Sequence, residues 1–264
     1  MRIIAIALSA ISLGVGLAGP AAAAVKTEVV KYKAGDTALV GYLAYDDAAQ
    51  GKRPGVIVVH EWWGLNDYAK KRADLLAKEG YVAFALDMFG DGKTTEHPEE
   101  AGPWASAVRG QAGVAKQRFM AAYDLFKANP RVDPARIAAI GYCFGGAVAL
   151  SMAEEGVDLV GVATFHGALP QEPVAPGTTV KAKLLVCHGA DDPLIPAEQV
   201  STFINNLKAA NADFQFIQYS GARHSFSNPD AAKYGMQPLA YNEAADRRSW
   251  QAMKDFFAEV FAGQ

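Results

Sequence analysis

The stretch Arg136 to Met152, RIAAIGYCFGGAVALSM, decides the fold. Ile137 to Ile140 is a short apolar run of the kind that forms a buried strand. Gly141-Tyr142-Cys143-Phe144-Gly145-Gly146 interrupts it, and an Ala/Val/Leu-rich helical pattern follows at once. Strand, G-x-nucleophile-x-G turn and helix in immediate succession are the layout of a nucleophile elbow, here with Cys where Ser is usual. Such a turn forces its central residue into a strained backbone conformation, and small flanking residues let the chain segments pass closely. Cys143 is then expected at the C-terminal tip of the strand, at the N-terminus of a helix whose dipole favours an anion. A plain tight turn around a small apolar cysteine would give the same local pattern, so the rest of the chain has to decide.

On either side of this unit, short apolar runs alternate with helical patterns. Lys26 to Lys33 and Ala38 to Tyr45 read as two antiparallel strands joined at Gly35-Asp36. Val56 to His60 is a continuous apolar run, as in a parallel strand covered on both faces. Asn66 or Asp67 caps a helix running to Glu79, Gly80 ends it, and Tyr81 to Leu86 is the next strand. The polar, Gly-rich residues from Asp91 to Pro103 read as a surface loop and candidate lid, and Trp104 to Asn129 as one helix. After the elbow come strands over Leu159 to Phe165, Lys183 to Cys187 and Phe214 to Tyr219. A helix from Pro196 to Ala210 lies between the last two, and a terminal helix spans Leu239 to Phe261. This alternation, with no repeat and no linker, predicts one α/β domain: a mostly parallel, doubly wound sheet with helices on both faces.

The first residues read differently. Met1-Arg2, an apolar run from Ile3 to Leu17 and small residues up to Ala24 predict a secretory signal peptide over 1–24, leaving a domain over 25–264. Export follows as an expectation, with a bacterial periplasm as the destination and no membrane association after cleavage. The whole chain of 264 residues is 51% hydrophobic with a net charge of −3 and no dense basic run, which argues against nucleic acid as a partner. Two cysteines, Cys143 and Cys187, are too few for a disulfide framework and are expected as free thiols. No paired metal-ligand spacing and no G-x-G-x-x-G after a first strand occur, so neither a metal nor a nucleotide cofactor is expected. A monomer or small homo-oligomer acting on a small molecule fits these properties.

Ligands of such sheets bind beyond the C-terminal ends of the strands. Glu61, Cys143, Asp192 and His224 all lie just past expected strand ends. Nucleophile, acid and base in that chain order match the triad order of this layout. His224 would exchange the proton of Cys143, and Asp192 would fix the imidazole tautomer, with Asp191 as the competing acid. The backbone N–H groups of Phe144 and Trp62 are expected to form the oxyanion hole. Glu61, beside that loop, would repel a thiolate. Trp63, Phe89 and Arg223 are candidates for the substrate pocket. His60 and His188 read as packed structural residues, and His166 as possible pocket lining.

The segments VIVVHEWWGLN, ALDMFG, IGYCFGGAVAL, HGADDPLIP and GARHSF together resemble the dienelactone hydrolase family, cysteine members of the α/β-hydrolase superfamily. The resemblance runs in order from the first parallel strand to the histidine loop. It implies an α/β-hydrolase fold and a carboxymethylenebutenolidase-like hydrolase of a small ester or lactone that needs no cofactor. It further implies Cys143, Asp192 and His224 as triad, a thioester acyl-enzyme, and Glu61 restraining the resting thiol. One departure concerns substrate. Where family members carry arginines for a substrate carboxylate, this chain reads Met88-Phe89-Gly90-Asp91 and Ser227-Asn228. The rival expectation is a non-catalytic binding or redox-thiol protein on the same fold, which would have no need of Asp192 and His224.

Overall fold

The computed structural model describes residues 24–111 and 113–263, so the leader expected over 1–24 lies, but for Ala24, outside the described residues. Two strands, β1 (Val25–Ala34) and β2 (Thr37–Asp46), form an antiparallel hairpin closed at Gly35, whose φ of 57° suits glycine. Next to β2 lie the parallel strands β3 (Arg53–Val59), β4 (Val82–Leu86), β5 (Val132–Tyr142), β6 (Gly161–Phe165), β7 (Lys183–Gly189) and β8 (Phe214–Tyr219). Their order across the sheet is β1-β2-β4-β3-β5-β6-β7-β8, with β2 running antiparallel to β4. The chain winds outward from β3 to β4, then crosses to β5 and winds the other way. The switch point therefore falls between β3 and β5, where a cleft opens at the strands' C-terminal ends.

Alternation within each strand builds both cores. Ile57 and Val59 of β3, with Phe84 and Leu86 of β4, face one layer, whereas Val56, Val58, Ala83 and Ala85 face the other. The first layer holds α2 (Pro98–Gly110), α3 (Val114–Lys127), α4 (Phe144–Glu154) and α5 (Ala197–Ala209). The second holds α1 (Asp67–Lys78) and α6 (Glu243–Ala262), which bury Leu76, Phe256 and Phe257 against the sheet. The doubly wound architecture is thus as the apolar runs predict. No described helix is long and apolar enough to cross a membrane.

Three expectations are corrected. The stretch 98–103 is not loop but the first turns of α2. Pro98 opens that helix and Glu99 and Glu100 lie in its first turn, where a missing N–H and negative charges are tolerated. The single helix expected over 104–129 is two helices. Gln111 is extended and Gly113 is left-handed at φ 80°, and no helix continues through that pair. The terminal helix starts at Glu243 rather than Leu239. Asn242 caps it, accepting from the Ala245 N–H at 3.0 Å, while Leu239 forms a bridge with His224.

Candidate active site

The elbow is made by backbone. Cys143 sits between β5 and α4 at φ 52° and ψ −115°, a conformation that is costly for a residue with a side chain. Its N–H donates to Phe165 O at 3.2 Å, and its C=O accepts from Gly146 N–H at 3.1 Å and Ala168 N–H at 3.3 Å. The glycines are sterically required. A Cβ on Gly141 would lie 2.2 Å from Gly145 O, and one on Gly145 would lie 2.3 Å from Val59 O and 2.5 Å from His60 O. On Gly146 it would lie 2.7 Å from Gly167 Cα. Each obstacle is backbone that cannot step aside, so α4 can pack under the tips of β3 and β6 only with glycine here. Among the described residues neither the Phe144 nor the Trp62 N–H meets an acceptor in the protein. The first belongs to the opening residue of α4 and the second to the loop after β3.

Beyond β7 and β8 an acid and a base meet. His224 Nδ1 and Asp192 Oδ2 are 2.8 Å apart, and both side chains are buried. The other oxygen of Asp192 accepts the Leu194 N–H at 2.9 Å, which fixes the carboxylate, whereas Asp191 is exposed. Burial works against a charge on His224. Cys143 beside it and the bonded Asp192 outweigh that, and the imidazole is pushed up to about 10. The ring is therefore poised to hold a proton between a carboxylate and a thiol.

The loop carrying His224 is held by side chains. Ser225, itself at φ 57°, donates its hydroxyl to Glu61 Oε1 at 2.9 Å. Asn228 Nδ2 donates to Glu61 Oε2 at 2.7 Å. Ser227 Oγ lies 2.8 Å from both Tyr68 Oη and His166 Nε2, and its C=O accepts from Arg72. Arg72 also reaches Asp246 on α6 at 2.6 Å. Glu61 thus has both oxygens occupied by the histidine loop. Burial holds its carboxyl above the usual range, against the two hydrogen bonds that favour the anion. His166, at φ 43°, packs edge-on against His224 and Phe226 with centroids at 5.4 and 5.2 Å. Its own burial pushes the ring well below the ordinary histidine range, so it stays neutral.

Sequence reading missed Tyr68, Arg72, Ser227, Asn228 and Asp246 as members of this site. One signal was present. Tyr68, Ala69, Arg72, Ala73 and Leu76 share the buried face of α1, and a charge in that stripe demands a buried partner. The other expected residues fall as follows. Trp63 is fully buried and stacked on Tyr234 at 3.9 Å, with Trp62 against its side. Phe89 packs on His60, Trp104 and Phe144. Arg223 is exposed and donates to Gln237 O at 3.3 Å. His60 accepts the Met88 N–H at 3.1 Å, and His188 packs on Phe216. Cys143 and Cys187 are both free, and no cluster of three potential metal ligands occurs among the described residues.

Three comparisons bear on the chain as a whole. Residues 39–261 match the family model described as the dienelactone hydrolase family. A Salmonella typhimurium protein named provisionally as a carboxymethylenebutenolidase is 30% identical over 230 residues, covering 83% of this chain and 82% of its own. A crystal structure of a dienelactone hydrolase-like promiscuous phosphotriesterase from metagenomic libraries superposes with a TM-score of 0.86. It is 38% identical and covers 90% of this chain and 99% of its own. A provisionally named dienelactone hydrolase from Klebsiella pneumoniae superposes with a TM-score of 0.71 at 26% identity, covering 89% of this chain and 99% of its own.

Proposed function

This chain belongs to the dienelactone hydrolase family, and on that premise we propose that it cleaves a small ester or lactone through Cys143, His224 and Asp192. The observation that carries the reading is the buried His224–Asp192 bond of 2.8 Å beside an elbow that presents Cys143. The Cys143 sulfur attacks the carbonyl carbon, and its proton is held on His224. The oxyanion is met by the N–H groups of Phe144 and Trp62. The His224 imidazolium, stabilised by Asp192, protonates the leaving alkoxide, and a thioester on Cys143 remains. Neutral His224 then deprotonates water, which attacks the thioester; the acid is released and the thiol restored. Glu61, with both oxygens on the histidine loop, acts in this reading by holding that loop in register. Export through residues 1–24 is part of the proposal, on the strength of the apolar run from Ile3 to Leu17.

Hydrolysis of p-nitrophenyl acetate tests the reading. Cys143→Ala should abolish turnover, and Asp192→Asn should lower kcat by about 10²-fold or more. Equal rates for wild type and Cys143→Ala would overturn it in favour of a non-catalytic thiol protein. Glu61→Gln keeps the shape but removes the charge. Faster alkylation of Cys143 by iodoacetamide in that variant would instead favour Glu61 as a restraint on the thiol. The metagenomic relative is named a promiscuous phosphotriesterase, so an aryl phosphotriester belongs in the same substrate panel.

A further inference from the structure

A groove of about 820 Å³ opens beside the elbow, between α4, the α2–α3 junction and the 168–178 loop. Its floor is one strip of α4, lined in turn by Ala147, Ser151 and Glu154. Those residues lie four, eight and eleven positions beyond Cys143, so they share a face of the helix and the strip leads away from the nucleophile. At the near end Ala168 donates its N–H to Cys143 O at 3.3 Å, and the Arg109 guanidinium lies 5.8 Å from the Phe144 ring centroid. At about 1.5 Å per residue, the distance from Cys143 to Glu154 is roughly 16 Å along the helix.

The two ends of the groove differ in charge, and a strip of apolar side chains runs between them among polar ones. Val108, Val148, Met152, Leu169 and Val174 supply that strip. At the far end Glu154 Oε1 is buried without a hydrogen-bond partner. No cation pairs with Glu154 among the described residues, because the nearby Lys116 is bound to Glu155 at 3.1 Å. Burial, and then the charge of Glu155, push the Glu154 carboxyl up to about 7. The small residues Ala147 and Ser151 leave room on the floor. An apolar strip that ends at a buried carboxyl oxygen without a partner suits an apolar chain with one cationic terminus.

We propose that this groove is the subsite for one arm of the ester, an apolar chain that runs from Cys143 along α4 and ends in a primary ammonium paired with Glu154. The inference rests on Cys143 as the reacting group, since it is the position of the Ala147 and Ala168 end of the groove, one helical turn and one hydrogen bond from Cys143, that makes the occupant a substrate arm. Arg109 sits at the opposite end, over Phe144, and at the far end the charge of Lys116 is taken up by Glu155, which leaves Glu154 for the ammonium.

The test uses two ester series, p-nitrophenyl alkanoates and alkyl acetates, each lengthened from two to ten carbons with a terminal methyl or a terminal ammonium. In one of the series kcat/KM should rise at least about tenfold with length, and a further severalfold with the ammonium. Glu154→Gln should remove the ammonium gain and leave p-nitrophenyl acetate unchanged. Ser151→Trp should remove the length dependence by filling the floor. If that variant does not fold, the isosteric Glu154→Gln carries the test. Flat series in both arms, or no ammonium gain, would overturn the subsite while acetate turnover lost in Cys143→Ala keeps the triad reading intact. Calorimetry with decylammonium reads the groove without turnover: binding should weaken at least fivefold in Glu154→Gln, and equal affinity would overturn the proposal.

Discussion

The elbow around Cys143 and the loop around His224 are held in place by different means. At the elbow, backbone meets backbone: Gly141, Gly145 and Gly146 each stand where a single added carbon would strike a main-chain atom. In the histidine loop, side chains do the holding: Ser225 and Asn228 grip Glu61, and Ser227 engages Tyr68, His166 and Arg72. The first arrangement tolerates almost no substitution. The second is distributed over several bonds, each replaceable at a moderate cost. A nucleophile that must sit at one point therefore rests on the rigid device, and a base that passes protons between partners rests on the adjustable one.

Substitutions at the two places should separate by size. Gly145→Ala puts a methyl within 2.5 Å of two carbonyl oxygens, so a loss of about 3 kcal/mol or more is expected, read as missing soluble protein or a collapsed melting temperature. Arg72→Met comes next. It strands Asp246, whose side chain is only 17% exposed, and the carbonyl of Ser227, and should cost about 3 kcal/mol in urea denaturation. The double variant Arg72→Met, Asp246→Leu should recover part of that loss, because no charge is then left unpaired. Asn228→Ala is smaller. It removes one charge-assisted bond to Glu61, for about 1.5 kcal/mol. Its kcat should fall more than its KM changes, since the loop under His224 loosens while the groove beside α4 is untouched. A wild-type kcat in Asn228→Ala would break the contrast between rigid elbow and adjustable loop.

The same contrast explains what could be read in the sequence. The elbow is local. Its strand, glycines and helix occupy consecutive positions, and a continuous apolar run such as Val56 to Val59 announces a strand covered on both faces. The pins on the histidine loop join residues 61 to 167 positions apart, as in His166–Ser227 and Glu61–Asn228. No periodicity connects such pairs before the sheet folds. His224 and Asp192 were legible only because the chain order of a triad ranks a few candidates. The helix errors have a similar origin. The polar, Gly-rich stretch up to Pro103 reads as loop, yet Pro98 opens α2 and the burial of Ala101, Ala105 and Val108 carries the helix through Gly102 and Pro103.

The link between the two regions is the proton on His224, and it gives the finest expected effect. His224 is raised from 6.5 to about 10 by Cys143 and Asp192 despite its burial. A folded-state pKa above the unfolded one adds stability that is complete below pH 6.5 and is lost as pH rises toward 10. Glu61 and Glu154, raised by burial, also lose stability with rising pH, from a lower starting point. His166, lowered by burial, acts in the opposite sense and loses it as pH falls. Cys143 does not itself shift any of these three, so the comparison of wild type with Cys143→Ala reads chiefly the proton on His224. In that variant one support of the imidazolium is gone, so the ring resonances of His224 should titrate below the wild-type value. The stability difference between the two proteins should be largest in acid and shrink across pH 6.5 to 10. An unchanged His224 titration in Cys143→Ala would mean that elbow and loop do not share the proton, and that Asp192 alone sets the charge of the base.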